Sequence, residues 1–587
     1  MHQTRDNKDG KDREYTRIPV KRKKNPFIPV TRAEMKERGW DSLDIIMVSG
    51  DTYYDTSYSG TAVIGRWLIH NGYRVGIIPQ PSQDDIERLG EPNLFWSVSA
   101  GCVDSMVANR TANNKKRRHD DFTPGGMNEK RPDRATIVYS NMIKRFSKDK
   151  PIVLGGIESS LRRIAHYDAW TDTVRRSVLF DAKADYITYG MAEFSNLELA
   201  DALRDSKNTD GIRGICYISK ECPENHIEIP SYEECSENPD KFTEAYLTFH
   251  RNCDSVTAKG LCQKHGNRYL VQNPPQRDPT TEELDLFHSL GYRNEVHPLC
   301  LKEGHVKAAD TIKNSITTHR GCYGGCNFCA IAVHQGRRVI SRSEDSIIKE
   351  IEGYAENPDF NGIIYDLGGP TANMYGIECE KKIASGACED RGCLFPSVCK
   401  SLKVDHSRQL KLLERALNVP GVKRVFVTSG IRYDMILADK EHGGEYVDAI
   451  VKNHVSGQLK IAPEHVSDKV LGYMGKPGKK DLLRFKKMFD DSNRKQNRKQ
   501  FLTYYTMAAH PGCTQRDMEN LGKFCRTELR TNPEQVQIFT PTPSTVSTLM
   551  YYTGKTPEGE KVFVERSSSG KQRQKDAVLK GRGYERQ

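Results

Sequence analysis

Three cysteines crowd into the segment Thr318-His319-Arg320-Gly321-Cys322-Tyr323-Gly324-Gly325-Cys326-Asn327-Phe328-Cys329, at C-x3-C-x2-C spacing. Thiolates this close can wrap one soft metal centre, and Gly321, Gly324 and Gly325 let the backbone bend around it. Two centres fit these residues. Zinc closes its shell with four ligands, and His319 or His334 stands near enough to supply the fourth. A 4Fe-4S cluster held by three cysteines keeps one iron open for a small molecule, which is a catalytic arrangement.

A second group, Cys379, Cys388, Cys393 and Cys399, follows at C-x8-C-x4-C-x5-C spacing. It reads as a second metal centre, zinc or iron-sulfur, or as four unligated thiols. Cys216, Cys222, Cys235, Cys253, Cys262 and Cys300 are widely and irregularly spaced, which suits ordinary thiols. Of the polar residues, Glu158, Arg162, Arg163, His166, Tyr167 and Asp168 are the densest run. Arg162 and Arg163 could clamp an anionic substrate through bidentate guanidinium contacts or sit in a buried ion-pair network.

Elements must hold these groups in place. Leu43–Ser49, Arg74–Pro79, Pro151–Leu154 and Ala184–Tyr189 have the short apolar pattern of buried strands, and 60–72 suits a helix. Strands that alternate with helices and end in glycine turns predict an α/β domain with a doubly wound parallel sheet over residues 41–205. The stretch 206–305 reads as a connecting region. From Ser315 the alternation resumes, with candidate strands Ser315–Thr318, Gly362–Asp366, Arg424–Thr428, Gln458–Ile461, Phe501–Met507 and Val536–Phe539. Six βα units predict a partial (β/α)6 TIM barrel over 306–560, with functional groups at the carboxyl ends of its strands. Ser343 caps a helix presenting Ile347, Ile348, Ile351 and Tyr354. The Cys-rich segment 375–405 is an insertion in this domain.

The cysteine spacing directly after the first barrel strand, with Phe328 before the last cysteine, resembles the signature of the radical S-adenosylmethionine (SAM) superfamily. That resemblance implies a 4Fe-4S cluster on Cys322, Cys326 and Cys329, SAM chelated at the open iron, and reductive cleavage to a 5′-deoxyadenosyl radical. It further implies that Gly368 and Gly369 in Asp366-Leu367-Gly368-Gly369-Pro370 replace the family's Gly-Gly-Glu motif, with Pro370 where the acid would be. Ser429 and Arg432 would contact the SAM carboxylate or ribose. Gly155-Gly156-Ile157-Glu158-Ser159-Ser160-Leu161-Arg162-Arg163, Tyr189-Gly190-Met191-Ala192-Glu193 and Phe539-Thr540-Pro541-Thr542-Pro543 narrow the resemblance to the YgiQ-type radical SAM family, over about residues 40–555. The front domain resembles the cobalamin-binding arrangement of one superfamily branch. Ser57 in Asp55-Thr56-Ser57-Tyr58-Ser59-Gly60 replaces the histidine of the cobalamin fingerprint, so cobalamin is unlikely to be a cofactor.

The formal charge of +11 resides in the ends of the chain, +6 in residues 1–40 and +5 in 561–587, with 41–560 neutral. Both ends read as basic tails, with RNA contact as the minority reading. No apolar run nears the roughly 18 residues of a membrane span and the first forty residues lack a secretory core, so a cytoplasmic protein with reduced cysteines is expected. The expected function is radical SAM chemistry on an open substrate, fed by an electron donor such as flavodoxin or ferredoxin. One alternative is RNA modification of the methylthiotransferase kind; another is a nonenzymatic zinc or nucleic-acid-binding protein.

Overall fold

The computed structural model describes residues 26–388, 391–533 and 535–579. Most of the first basic tail and the last eight residues of the second therefore lie outside the described residues. Nine strands make one sheet in the front half: β1 (Ile45–Ser49), β2 (Val75–Pro79), β3 (Phe95–Ser99), β4 (Ile152–Gly155), β5 (Tyr186–Thr188), β6 (Ile215–Ser219), β7 (His226–Ile229), β8 (Gly260–His265) and β9 (Arg268–Gln272). Their order is β7-β8-β9-β6-β5-β4-β3-β1-β2. From β2 to β5 all pairs are parallel, with Ile45 of β1 opposite both Val75 and Phe95.

Alternation along these parallel strands sends side chains to two separate cores. Ile46, Val48, Trp96 and Val98 pack with Tyr139 and Ile143 of the helix Ala135–Phe146. Ile45, Met47, Val75, Ile77 and Phe95 pack on the other face with Leu68, Leu199 and Ala200. A parallel sheet buried on both faces needs such continuous apolar strands.

Two sequence expectations change here. The sheet is mixed, because the pairs β5–β6, β6–β9 and β9–β8 are antiparallel. The stretch 206–305 is more than a connection, since it supplies four strands of the sheet. Polar Gln263 and Lys264 disguise β8, yet Gln263 is buried and its Oε1 accepts the Ala165 N–H at 2.7 Å. β3 was also hidden, its apolar run being broken by Ser97.

Seven short strands form an arc in the second half: β10 (Ser315–Thr317), β11 (Ile363–Ile364), β12 (Asp366–Gly368), β13 (Arg424–Val425), β14 (Gln458–Glu464), β15 (Phe501–Ala508) and β16 (Val536–Ile538). β10 pairs with β12, β11 with β13, and β14-β15-β16 with one another, all in parallel. A parallel bridge from Ile431 to Ile461 links the two halves of the arc. Ile316, Leu367, Val425, Leu459 and Ile461 turn outward into a core shared with the helices. Among these is Glu344–Ala355, capped as expected by Ser343, whose Oγ accepts the Ser346 N–H at 3.1 Å, with Ile347 and Ile351 fully buried.

The second tail is also partly ordered, because the helix Ser568–Leu579 packs on the helix Gln515–Thr527. The two approach so closely that a Cβ on Gly522 would stand 2.8 Å from the Ala577 carbonyl oxygen. Gly522→Val should therefore push the terminal helix away, lowering the thermal midpoint and exposing residues 568–579 to limited proteolysis; unchanged melting and cleavage would refute this packing role.

Candidate functional site

The cysteine loop leaves β10 through Thr318, whose N–H and Oγ both donate to the Gly368 carbonyl, at 2.7 and 3.0 Å. Gly321 then turns at φ +80°, and a Cβ there would lie 1.8 Å from the Arg338 carbonyl oxygen, so only glycine fits. Beyond the turn, Asn327 fixes the loop to two distant elements. Its backbone N–H donates to Met474 O at 3.0 Å, its side-chain amide to Tyr473 O at 3.0 Å, and its carbonyl accepts the Ser547 N–H at 2.9 Å.

The three thiols gather on this loop. A Cβ on Gly324 would lie 3.1 Å from Cys322 Sγ, 3.6 Å from Cys326 Sγ and 3.4 Å from Arg432 Nη1, so the missing side chain leaves room between the sulfurs. Burial raises the Cys322 thiol and pushes Cys329 up to about 12, so a bound metal is what would keep them as thiolates. Neither histidine completes a zinc shell. His319 is buried, its Nδ1 2.8 Å from Thr318 Oγ and its ring beneath Gly369. His334 points the other way, with Nδ1 3.1 Å from Ser160 Oγ of the front domain.

Gly368 and Gly369 are glycines for reasons of space. A Cβ on the first would strike Ser429 Oγ at 2.8 Å, and on the second the His319 ring at 2.6 Å. Ser429 is held by Asp366, which accepts its N–H at 3.0 Å and its hydroxyl. Arg432 reaches the cysteines directly, donating from Nη1 to Cys326 Sγ at 3.4 Å while Nε and Nη2 engage Asp434 at 2.8 and 2.6 Å.

Behind Arg432 stands a buried chain that sequence spacing did not reveal. The Asn373 side chain grips the Arg432 backbone from both sides, accepting its N–H at 2.7 Å and donating to its carbonyl at 3.0 Å. Asn373 Nδ2 lies 3.2 Å from His406 Nε2, and His406 Nδ1 lies 2.7 Å from Asp439 Oδ2. Burial alone would raise the Asp439 carboxyl, but His406 and the backbone N–H groups of His442 and His406 outweigh it and hold it well below the carboxylate range. Glu464 and Lys476 were missed too. They pair at 3.8 Å at the carboxyl end of β14, where burial raises the Glu464 carboxyl and Lys476 offsets part of the rise. Glu464, the last residue of β14, sits at φ +65° and Ala509, just after β15, at +59°, so two strand ends of the arc carry backbone strain, and Ser544 in the segment beyond β16 sits at +63°. Position at a strand end was the one signal available for Glu464.

The front domain faces this loop. Ser160 meets His334, the Leu161 carbonyl accepts the Ser544 hydroxyl at 2.7 Å, and Glu193 pairs with Arg320 at 2.5 Å, both side chains nearly inaccessible. Arg162 and Arg163 lie close by but point inward. Arg162 pairs with Asp104, and Arg163 lies over the rings of Tyr189 and Phe249 at 4.4 and 4.5 Å while donating to Gln272 at 2.8 Å. Their guanidinium groups are thus engaged inside the front domain, Arg162 in an ion pair and Arg163 by rings and neutral acceptors, which speaks against a substrate clamp.

A C-x3-C-x2-C loop at the head of a parallel arc, covered by an α/β domain, is the arrangement of the radical SAM class. Residues 27–315 match the family described as Radical SAM N-terminal, and 316–525 match the Radical SAM superfamily. A UPF0313 protein of Fusobacterium nucleatum is 57% identical over 95% of this chain and 99% of its own, and one of Thermotoga neapolitana is 48% identical over 95% and 100%. This chain belongs to the UPF0313 family, the YgiQ-type radical SAM proteins, and is an enzyme of unidentified substrate. That sets aside the nonenzymatic alternative.

Two solved structures are similar at TM-scores of 0.47. They are the radical SAM methyltransferase TsrM of Kitasatospora setae with cobalamin and a [4Fe-4S] cluster bound, 14% identical over 86% of this chain and 74% of that one, and the cobalamin-dependent SAM radical enzyme OxsB with aqua-cobalamin, 11% identical over 89% and 57%. Both of those proteins hold cobalamin, and the expectation against cobalamin in this chain is withdrawn, because its one ground was the residue at position 57. The physical reason is that Ser57 bears on an axial ligand to cobalt and not on whether a corrinoid fits. Among the described residues, no helix is long and apolar enough to cross a membrane.

Two measurements test the buried chain. His406→Ala leaves Asp439 buried without its ring partner and should cost about 1–3 kcal/mol in chemical denaturation. Because the folded Asp439 carboxyl lies below its unfolded value of 3.8, its contribution is present above that pH and lost as pH falls through the folded value. Asp439→Asn should flatten the stability loss below about pH 4, and an unaltered acid limb would overturn this role.

Proposed function

We propose that Cys322, Cys326 and Cys329 hold a 4Fe-4S cluster, with SAM as its small-molecule ligand, in a partial (β/α)6 barrel closed over by the doubly wound front domain. The observation that carries this reading is the room left by Gly324 between Cys322 and Cys326, on a loop fixed at both ends, together with the family membership. When bound, such a cluster supplies the electron that cleaves SAM to methionine and a 5′-deoxyadenosyl radical.

The chain's own residues then have defined tasks. Gly368 and Gly369 let the backbone after β12 come close to the ligand, their peptide groups available to a SAM ammonium or carboxylate. Arg432 places a fixed positive charge beside Cys326, and Asp434 keeps it oriented. Lys476 adds positive charge near Cys329, and Glu464 stands beside it as an acceptor for ribose hydroxyls. The Ser160–His334 and Glu193–Arg320 contacts hold the front domain over the loop, keeping water and stray hydrogen donors from a reactive radical. An electron donor of the flavodoxin or ferredoxin kind would feed the site. The reading as an RNA-modifying enzyme rests on basic ends that fall largely outside the described residues.

Replacing any one of Cys322, Cys326 or Cys329 with Ala should abolish formation of 5′-deoxyadenosine by the anaerobically reconstituted, reduced protein, while circular dichroism stays that of the wild type. Undiminished cleavage in a variant with wild-type iron content would refute the assignment.

A further inference from the structure

The four cysteines of the insertion are not absorbed by the site above, and all four are free of disulfides. The fold gathers them on one side of the cysteine loop. Cys379 is buried in an apolar cluster with Tyr323, Met374, Leu394 and Leu402, and Cys393, Cys399 and Cys322 pack against the same cluster. Cys393 is the middle of the group. It lies within electrostatic range of both Cys379 and Cys388, and its carbonyl accepts the Cys399 N–H at 2.8 Å.

Positive charge is built in beside them. Lys382 reaches the Cys393 thiol, lies over the Tyr323 ring at 5.4 Å and is anchored by donating to the Arg337 carbonyl at 2.7 Å. A buried lysine among thiols is an unfavourable neighbour for an apolar core and a fitting one for a cluster that carries net negative charge.

A single zinc, with Zn–S bonds of about 2.3 Å, brings its sulfurs within about 4 Å of one another. Among the described residues, no three insertion cysteines have their sulfurs within 4.8 Å, so they do not form a zinc shell as they stand. What points to a larger, negatively charged centre is Lys382 beside Cys393 and the apolar cluster shared with Tyr323.

We propose that Cys379, Cys388, Cys393 and Cys399 hold a second iron-sulfur cluster, ligated by all four thiolates and seated against Tyr323 beside the first site. Four protein ligands leave no iron open, so this centre carries electrons and does not bind SAM. Its existence is independent of the first cluster, but its role rests on that reading, and the test separates the two.

The test uses the full chain, reconstituted anaerobically with iron and sulfide, in three forms. The wild type should bind about eight irons; the Cys322→Ala, Cys326→Ala, Cys329→Ala variant and the Cys379→Ala, Cys388→Ala, Cys393→Ala, Cys399→Ala variant should each bind about four. SAM should perturb the electron paramagnetic resonance signal of the insertion variant and leave that of the motif variant unchanged. A motif variant that binds no iron, or that binds one zinc per chain, overturns the second cluster whether or not the insertion variant folds. A motif variant that keeps a SAM-responsive signal would instead overturn the reading of the first site.

Discussion

A guanidinium shut away from water has to be paired, and Arg320, on the strand entering the cysteine loop, finds its carboxylate across the domain boundary in Glu193. Breaking such a pair by removing one partner costs about 3–5 kcal/mol, because the other charge is left buried alone. Neither charge can be left alone there, so the pair fixes where the start of the loop meets the front domain. Other contacts depend on that placement. His334 can reach Ser160 and the Leu161 carbonyl can receive Ser544 only with the glycine turn after β4 held above the loop. The front domain is thus part of the site's wall.

The arc and the front domain answer different demands. In the front sheet, alternate residues feed two apolar cores, and its arginines are consumed by internal pairing. In the arc, one face packs against helices while the other presents Gly368 and Gly369 where a ligand's polar groups would lie. Strain at Glu464 and Ala509 falls at the carboxyl ends of two of the arc's strands, which is where a site tolerates an unfavourable backbone if neighbours enforce it. For Ala509 the enforcing neighbour is visible, since its N–H donates to Gln574 of the terminal helix at 2.9 Å.

Much of this was legible in the residues. The strands of the arc stand within a few residues of where apolar runs placed them, because each lies between glycine or polar breaks. The cysteine loop announced itself by spacing. What stayed hidden shares one property: the chemistry is made by residues distant in sequence. Asn373, His406 and Asp439 are unremarkable singly, and only folding puts them in line behind Arg432. Gln263 belongs to no apolar run, and only the fold shows it as a buried acceptor inside a strand. Arg162 and Arg163 admitted two readings, an anion clamp or a buried network, and the residues that decide between them, Asp104, Tyr189 and Phe249, are each far away along the chain.

Asn327 makes its bonds to Met474 and Ser547, and Ser547 is synthesised 220 residues later. At a translation rate of about 5–20 residues per second, Cys326 and Cys329 wait roughly 10–40 s on the ribosome before their loop can be fully anchored. During that interval the thiols are unshielded, open to oxidation and to whichever thiophilic ion arrives first. On the proposed reading, loading with iron and sulfide would follow that wait, and expression conditions that slow elongation or admit oxygen would lower the fraction of molecules that mature without changing the stability of those that do.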